Sequence, residues 1–225
     1  MIKTDIEIAF SKARVARFCT NIKDDLVFDN YTRSQLISNN LYLPLSVFEI
    51  TLRNKITNEL GNSWYNLMGV SKWKKLLKKK GLKIKKYSED ELKTLAYLSR
   101  EIRNGKKGSF PTFGFYTSFF TEENKTLFTK TLLTDFFPKE NGKKYRLKAQ
   151  SEFDEIRRIR NRVAHLKNLT RKYSQKELLY IVEMIYDYVT LLNKPGAQWL
   201  DRVQPKEILE KQITDLYEQQ RIQSN

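Results

Sequence analysis

The chain has 225 residues, of which 40% are hydrophobic and 12% aromatic, enough apolar material for one sizeable packed core and too much for wholesale disorder. Its 42 Lys and Arg against 26 Asp and Glu give a net charge of +16, which favours polyanionic partners, nucleic acid first, with solubility or a Lys-rich genomic bias as the plainer explanation. A lone Cys19 excludes an intramolecular disulfide, the charged start MIKTDIEIAF lacks a signal core, and no apolar run nears the roughly 18 residues of a membrane span. A cytoplasmic protein with no membrane partner is expected.

In chain order, helices are expected around residues 6–20 and 30–40. The run PLSVFEITLRNKITNEL then sets Leu45, Phe48, Leu52, Ile56 and Leu60 at helical spacing, with Pro44 in a first turn and Gly61 as C-cap. Within it Glu49 and Arg53, four apart, can pair as ions.

Residues 62–110 differ in composition and read as a basic insertion or arm. Nine lysines crowd a short stretch here: Lys72, Lys74, Lys75, Lys78, Lys79, Lys80, Lys83, Lys85 and Lys86. Interleaved Trp73, Leu76, Leu77, Leu82 and Ile84 give the stretch an apolar side, so phosphate-backbone contact with RNA competes with a merely solvated helix face. Ser88 with Glu91 marks a further helix start, and FGFY, Phe113 to Tyr116, suits close aromatic packing beside a glycine.

Two more helix starts carry Ser with an acid three residues on, Ser151 with Asp154 and Ser174 with Glu177. Pro195-Gly196 marks a break, a C-terminal helix is expected within 196–225, and Pro205 suits a helix start. The fold class is therefore all-α, a single helical domain over 1–225 with the Lys-rich arm inside it. No Gly-rich phosphate loop and no Cys/His cluster is present, so no cofactor and no metal are expected.

The segment FDEIRRIRNRVAHLKN holds the only histidine of the chain, His165. On a helical wheel Ile156, Ile159, Val163 and Leu166 form a core-facing stripe, while Asn161 and His165, four apart, share another face. Arg160 and His165 lie about 140° apart if the helix is regular. A second copy packed across a two-fold axis would close that angle, and Ala164 would permit close approach.

Such a pair has the chemistry for RNA cleavage. Histidine, with an ordinary pKa of about 6.5, can take the 2′-OH proton or supply one to the leaving oxygen, and Arg offers a fork of donors to phosphate. The plainer alternative is a solvated helix face, because Arg followed by His at this spacing is common in basic sequences.

The surrounding pattern narrows the choice. RNRVAH has the form R-N-x-x-x-H and resembles the R-x(4–6)-H signature of the HEPN superfamily of helical, usually dimeric ribonucleases. The chain is similar to the Abi-like abortive-infection branch, of the AbiD/AbiF type, in two further elements: Glu49 followed by Leu52, Arg53 and Asn54, and FGFY in mid-chain. The matches occur in family order over residues about 10 to 170.

The resemblance implies a HEPN-like helical bundle and a metal-independent endoribonuclease of phage defence or a toxin system. Arg160 and His165 would be its catalytic pair, with Asn161 as the polar residue between them. Partners so implied are substrate RNA, a second copy as homodimer, and an antitoxin or bound non-coding RNA. Arg157 and Arg162 join the lysines as expected RNA contacts, and Glu49, Arg53 and Asn54 would support the site from behind. Related toxins silenced by nucleotide transfer carry a Tyr two residues after the His, where this chain has Lys167, with Tyr173 farther on. A non-catalytic RNA-binding module on the same scaffold is the alternative.

Overall fold

The computed structural model describes residues 27–60, 75, 78, 113–118, 120 and 142–224, and among them every regular element is a helix. The helices are α1 (Val27–Leu60), α2 (Phe113–Ser118), α3 (Gly142–Ala164), α4 (Gln175–Leu192), α5 (Lys194–Val203) and α6 (Lys206–Ser224). Expected helices at 6–20 and from Ser88, the cap at Gly61 and most of the 62–110 arm lie outside the described residues. The chain divides into two compact units, Met1–Phe48 with Arg158–Asn225, and Glu49–Arg157.

Helix α1 corrects the first expectation. The elements anticipated around 30–40 and from Pro44 are one helix, with Pro44 inside it rather than in a first turn. Proline costs about 3 kcal/mol in a helix interior, through a missing amide and a clash with the preceding turn. Against that, Ile37, Leu41, Leu45, Phe48, Leu52 and Ile56 run at spacings of four, four, three, four and four, and all are buried. Each is worth roughly 1.5–3 kcal/mol in apolar burial, so the stripe outweighs the proline.

Helix α3 corrects the second. It starts at Gly142, and Ser151 is an exposed residue inside it rather than its cap. The buried stripe explains this, because Ala149 already precedes Phe153, Ile156, Ile159 and Val163 at helical spacing.

In the first unit α4 is the hub. Nine of its residues are buried, from Leu178 to Leu192, and both α5 and α6 pack on it. Phe48 of α1 meets Tyr188 of α4 with ring centroids 6.1 Å apart. Polar bonds tie α6 to the same cluster: Asn40 Nδ2 donates to Gln212 Oε1 at 2.6 Å, and Gln220 Nε2 donates to Asn30 Oδ1 at 2.5 Å.

The anticipated break at Pro195-Gly196 is displaced by two or three residues. Asn193 ends α4 and caps α5, its Oδ1 accepting from the Gly196 amide at 3.1 Å, and Pro195 sits in the first turn of α5. The second break falls at Gln204–Pro205, so the 196–225 region holds most of α5 and then α6. Tyr186 Oη donates to the Gln204 carbonyl at 2.5 Å and fixes that corner against α4.

In the second unit Phe120 meets Phe153 of α3 edge-on, with centroids 4.8 Å apart and planes at 84°. Phe113 and Tyr116 of α2 are buried, as the aromatic-packing reading of FGFY expects.

The start of α4 agrees with its sequence signature. Ser174 Oγ accepts from the Glu177 amide at 3.3 Å, and the Ser174 amide donates to Glu177 Oε2 at 2.7 Å, a reciprocal capping box. The Ser174 backbone bond, then its hydroxyl, hold the Glu177 carboxyl below its ordinary range. A lowered carboxyl stabilises the fold above its unfolded pKa, and that contribution is lost as pH falls through the lowered value. Ser174→Ala is expected to lower unfolding free energy by about 1 kcal/mol at pH 7, with a smaller difference once Glu177 is protonated. Urea titrations at neutral and acidic pH check this, and an unchanged midpoint at neutral pH would contradict it.

Candidate functional site

The last two turns of α3 carry the segment RRIRNRVAH. Ile159 and Val163 are buried and fix the rotation of the helix, so Arg158, Asn161 and Ala164 emerge exposed, with Arg160 and Arg162 half-buried at the margins. Arg160 Nη1 lies 3.4 Å from Asn161 Oδ1. Its guanidinium therefore leans round the helix to Asn161, which is about 40° in azimuth from His165. The gap of about 140° between Arg160 and His165 is partly spanned by the length of the arginine itself.

Helix α3 stops at Ala164, and the chain reverses over the next three residues. The His165 amide donates to the Asn161 carbonyl at 3.2 Å, the Leu166 amide to Val163 at 3.0 Å, and the Lys167 amide to Arg162 at 2.9 Å. The last two bonds, with Leu166 at φ +49°, make a Schellman motif with His165 as C-cap. Leu166 was expected in the buried stripe; it is 41% exposed instead, because the left-handed turn swings it out of helical register. A left-handed leucine costs roughly 1–2 kcal/mol.

His165, Leu166 and Lys167 thus form an exposed tip between buried Val163 and buried Asn168 and Leu169. The base of the tip is tightly bonded. Arg162 Nη2 donates to the Asn168 carbonyl at 2.8 Å, and Asn168 Oδ1 accepts from the Thr170 amide at 2.9 Å, the Thr170 hydroxyl at 2.9 Å and the Arg171 amide at 3.4 Å. Gln220 Nε2 reaches Thr170 Oγ1 at 3.3 Å, and the Tyr217 hydroxyl donates to the Tyr173 carbonyl, so α6 holds the loop from outside.

The other anticipated site residues that are described stand in differing local environments. Arg157, expected to meet RNA, is bonded to Asp154 through Nε at 3.3 Å and Nη2 at 3.2 Å. Arg162, expected to do the same, holds the turn after His165, and its Nε is buried without a hydrogen-bond partner. Lys75 and Lys78 are exposed on helical backbone. Lys72, Lys74, Lys79, Lys80, Lys83, Lys85 and Lys86 lie outside the described residues.

In the second unit Glu49 and Arg53 are half-buried and Asn54 is exposed. Two of the sequence motifs meet here. Burial pushes the Tyr116 phenol up to about 12, the Arg53 guanidinium pulls it down, and the Glu49 carboxylate pushes it up. Arg53 and Glu49 therefore lie within electrostatic reach of a core tyrosine of FGFY, which supports a structural task for both motifs.

Arg158 was not singled out from sequence. It lies seven residues before His165, hence roughly 20° away in azimuth and about 10 Å along the axis, on the face of Asn161 and His165. The 158/161/165 spacing carried that signal. Among the described residues no group of three or more His, Cys, Asp or Glu side chains could hold a metal, and no helix is long and apolar enough to cross a membrane.

Compared with known proteins, the chain matches no protein-family model, no curated protein and no solved structure.

Glycine adopts φ +49° freely, so Leu166→Gly is expected to raise unfolding free energy by about 0.5–1 kcal/mol, and Leu166→Val to lower it. Equilibrium unfolding of both variants tests the strain, and a destabilised glycine variant would contradict it.

Proposed function

We propose that the chain is a metal-independent endoribonuclease of the HEPN superfamily, similar to its Abi-like branch, acting as a homodimer in phage defence or a toxin system. The observation that carries this reading is the exposed end of α3, where Asn161, Ala164 and the only imidazole of the chain stand together with Arg160 leaning towards them.

Cleavage of an RNA phosphodiester moves two protons. His165 of one copy takes the 2′-OH proton, the 2′-oxygen bonds to phosphorus, and the 5′-oxygen leaves with a proton from His165 of a second copy. The products are a 2′,3′-cyclic phosphate and a 5′-hydroxyl, and proton exchange with water resets both imidazoles. One histidine per chain makes two copies the natural source of acid and base together. Exposed Ala164, with no bulky side chain, lets a second α3 approach. Arg160 donates to the non-bridging phosphate oxygens, where negative charge grows, and Asn161 Oδ1 holds its guanidinium on the His165 side.

Defence, toxin activity and an antitoxin partner rest on the resemblance of RNRVAH, the Glu49 to Asn54 segment and FGFY. A second reading, an RNA-binding module without catalysis, is favoured by exposed Lys75 and Lys78 within the nine-lysine stretch and by the charge of +16.

Purified protein is expected to cut single-stranded RNA in EDTA and leave 2′,3′-cyclic phosphate ends. His165→Ala should reduce the rate on the order of 10²–10⁴-fold and Arg160→Ala on the order of 10²–10³-fold. Cleavage that survives His165→Ala would overturn the assignment. RNA binding without cleavage, weakened by Lys75→Glu with Lys78→Glu, would establish the second reading.

A further inference from the structure

We propose that Arg162 and Asn168 form a clasp that positions His165, the two acting as positioning residues that hold the imidazole at the one place where the α3 end can use it. The proposal rests on the reading of His165 as the proton-transfer group.

Arg162 brackets the chain reversal at both ends. Its carbonyl accepts from the Lys167 amide at 2.9 Å, and its Nη2 donates to the Asn168 carbonyl at 2.8 Å. Everything between, including His165, is closed into a ring whose two ends are bonds to one residue. Arg162 in turn belongs to a helix anchored by buried Ile159 and Val163.

Asn168 supplies the other jaw. It is 6% exposed, so its amide oxygen cannot be satisfied by bulk water, and it accepts instead from Thr170 twice and from Arg171. These bonds turn the chain inward, where Leu169 and Tyr173 are buried. The strained Leu166 turn persists because both flanks are fixed in this way. Without either jaw, the exposed tip would relax to a less costly backbone conformation and carry His165 with it. General base catalysis requires the imidazole within hydrogen-bond reach of the proton, and a displacement of about 1 Å costs on the order of 100-fold in rate.

Arg162 and Asn168 are thus assigned a task that differs from the phosphate contact expected of a basic helix. A phosphate-binding arginine acts on substrate affinity, whereas a clasp acts on the chemical step and on the free protein.

The single histidine makes the test clean, because the imidazole NMR signals of the full chain come from one residue. Asn168→Ala and Arg162→Met are expected to shift those signals and to lower the ¹⁵N–{¹H} NOE of the amides of 165–167 while leaving the helical CD spectrum unchanged. Asn168→Asp keeps the acceptor of the Thr170 and Arg171 bonds and is expected to keep the wild-type ¹⁵N–{¹H} NOE of the 165–167 amides. In RNA cleavage, kcat of the first two variants should fall on the order of 100-fold with KM unchanged. Should either variant fail to fold, Asn168→Ser and Arg162→Lys weaken the same bonds and are read by the same signals. Wild-type imidazole and amide signals in folded Asn168→Ala and Arg162→Met would overturn the clasp. A wild-type protein that cuts no RNA, with the NMR responses as expected, would leave the clasp standing and remove the nuclease reading.

Discussion

Helix α3 ends where its neighbours force it to end. The Schellman bonds from Leu166 and Lys167 to Val163 and Arg162 close the helix, and a leucine accepts the left-handed conformation that glycine usually takes. What compensates the strain is the route the chain takes next. From Asn168 onward it turns into the core, burying Leu169 and Tyr173 before Ser174 starts α4. That route leaves His165 at the head of an exposed tip and delivers α4 to the position on which α5 and α6 pack.

The same balance of local cost against buried surface governs α1. Its proline opposes the helix by about 3 kcal/mol, yet two turns of buried apolar side chains on either side exceed that several-fold. In both helices the continuity of a buried stripe decides where the element runs, and side-chain hydrogen bonds decide where it stops. Asn193 does the stopping between α4 and α5, and the Asn168 turn does it after α3.

Much of this was legible in the sequence, for reasons that differ by residue. Helix periodicity gave the class, and Ser174 with Glu177 gave an α4 start that the structure reproduces to the bond. Pro44 and Ser151 misled because each is a boundary signal by type, while the apolar spacing that overrode them extends beyond any short window. The end of α3 was hidden for the opposite reason: Leu166 continues the apolar spacing of Ile159 and Val163, and no glycine or proline announces the stop. Charge alone made Arg157 and Arg162 look alike as phosphate ligands. The structure gives them different partners, Asp154 for Arg157 and the Asn168 carbonyl for Arg162. Azimuth was legible throughout the regular part of α3, which is why the exposed Asn161 and Ala164 face was anticipated and Arg158 could have been.

The proposed nuclease reading turns on one proportion, a single imidazole per chain set on an exposed helix end beside an arginine that leans towards Asn161. A reaction that needs both an acid and a base then calls for two such ends. Co-expression of wild-type with His165→Ala chains, followed by purification of the mixed dimer, tests this most directly. On the proposed two-copy site the expected result is a mixed dimer nearly as slow in RNA cleavage as the His165→Ala homodimer, because a cleft shared by two copies would then hold one imidazole and lack either the acid or the base. A mixed dimer that keeps half or more of the wild-type rate would contradict a site built from two copies.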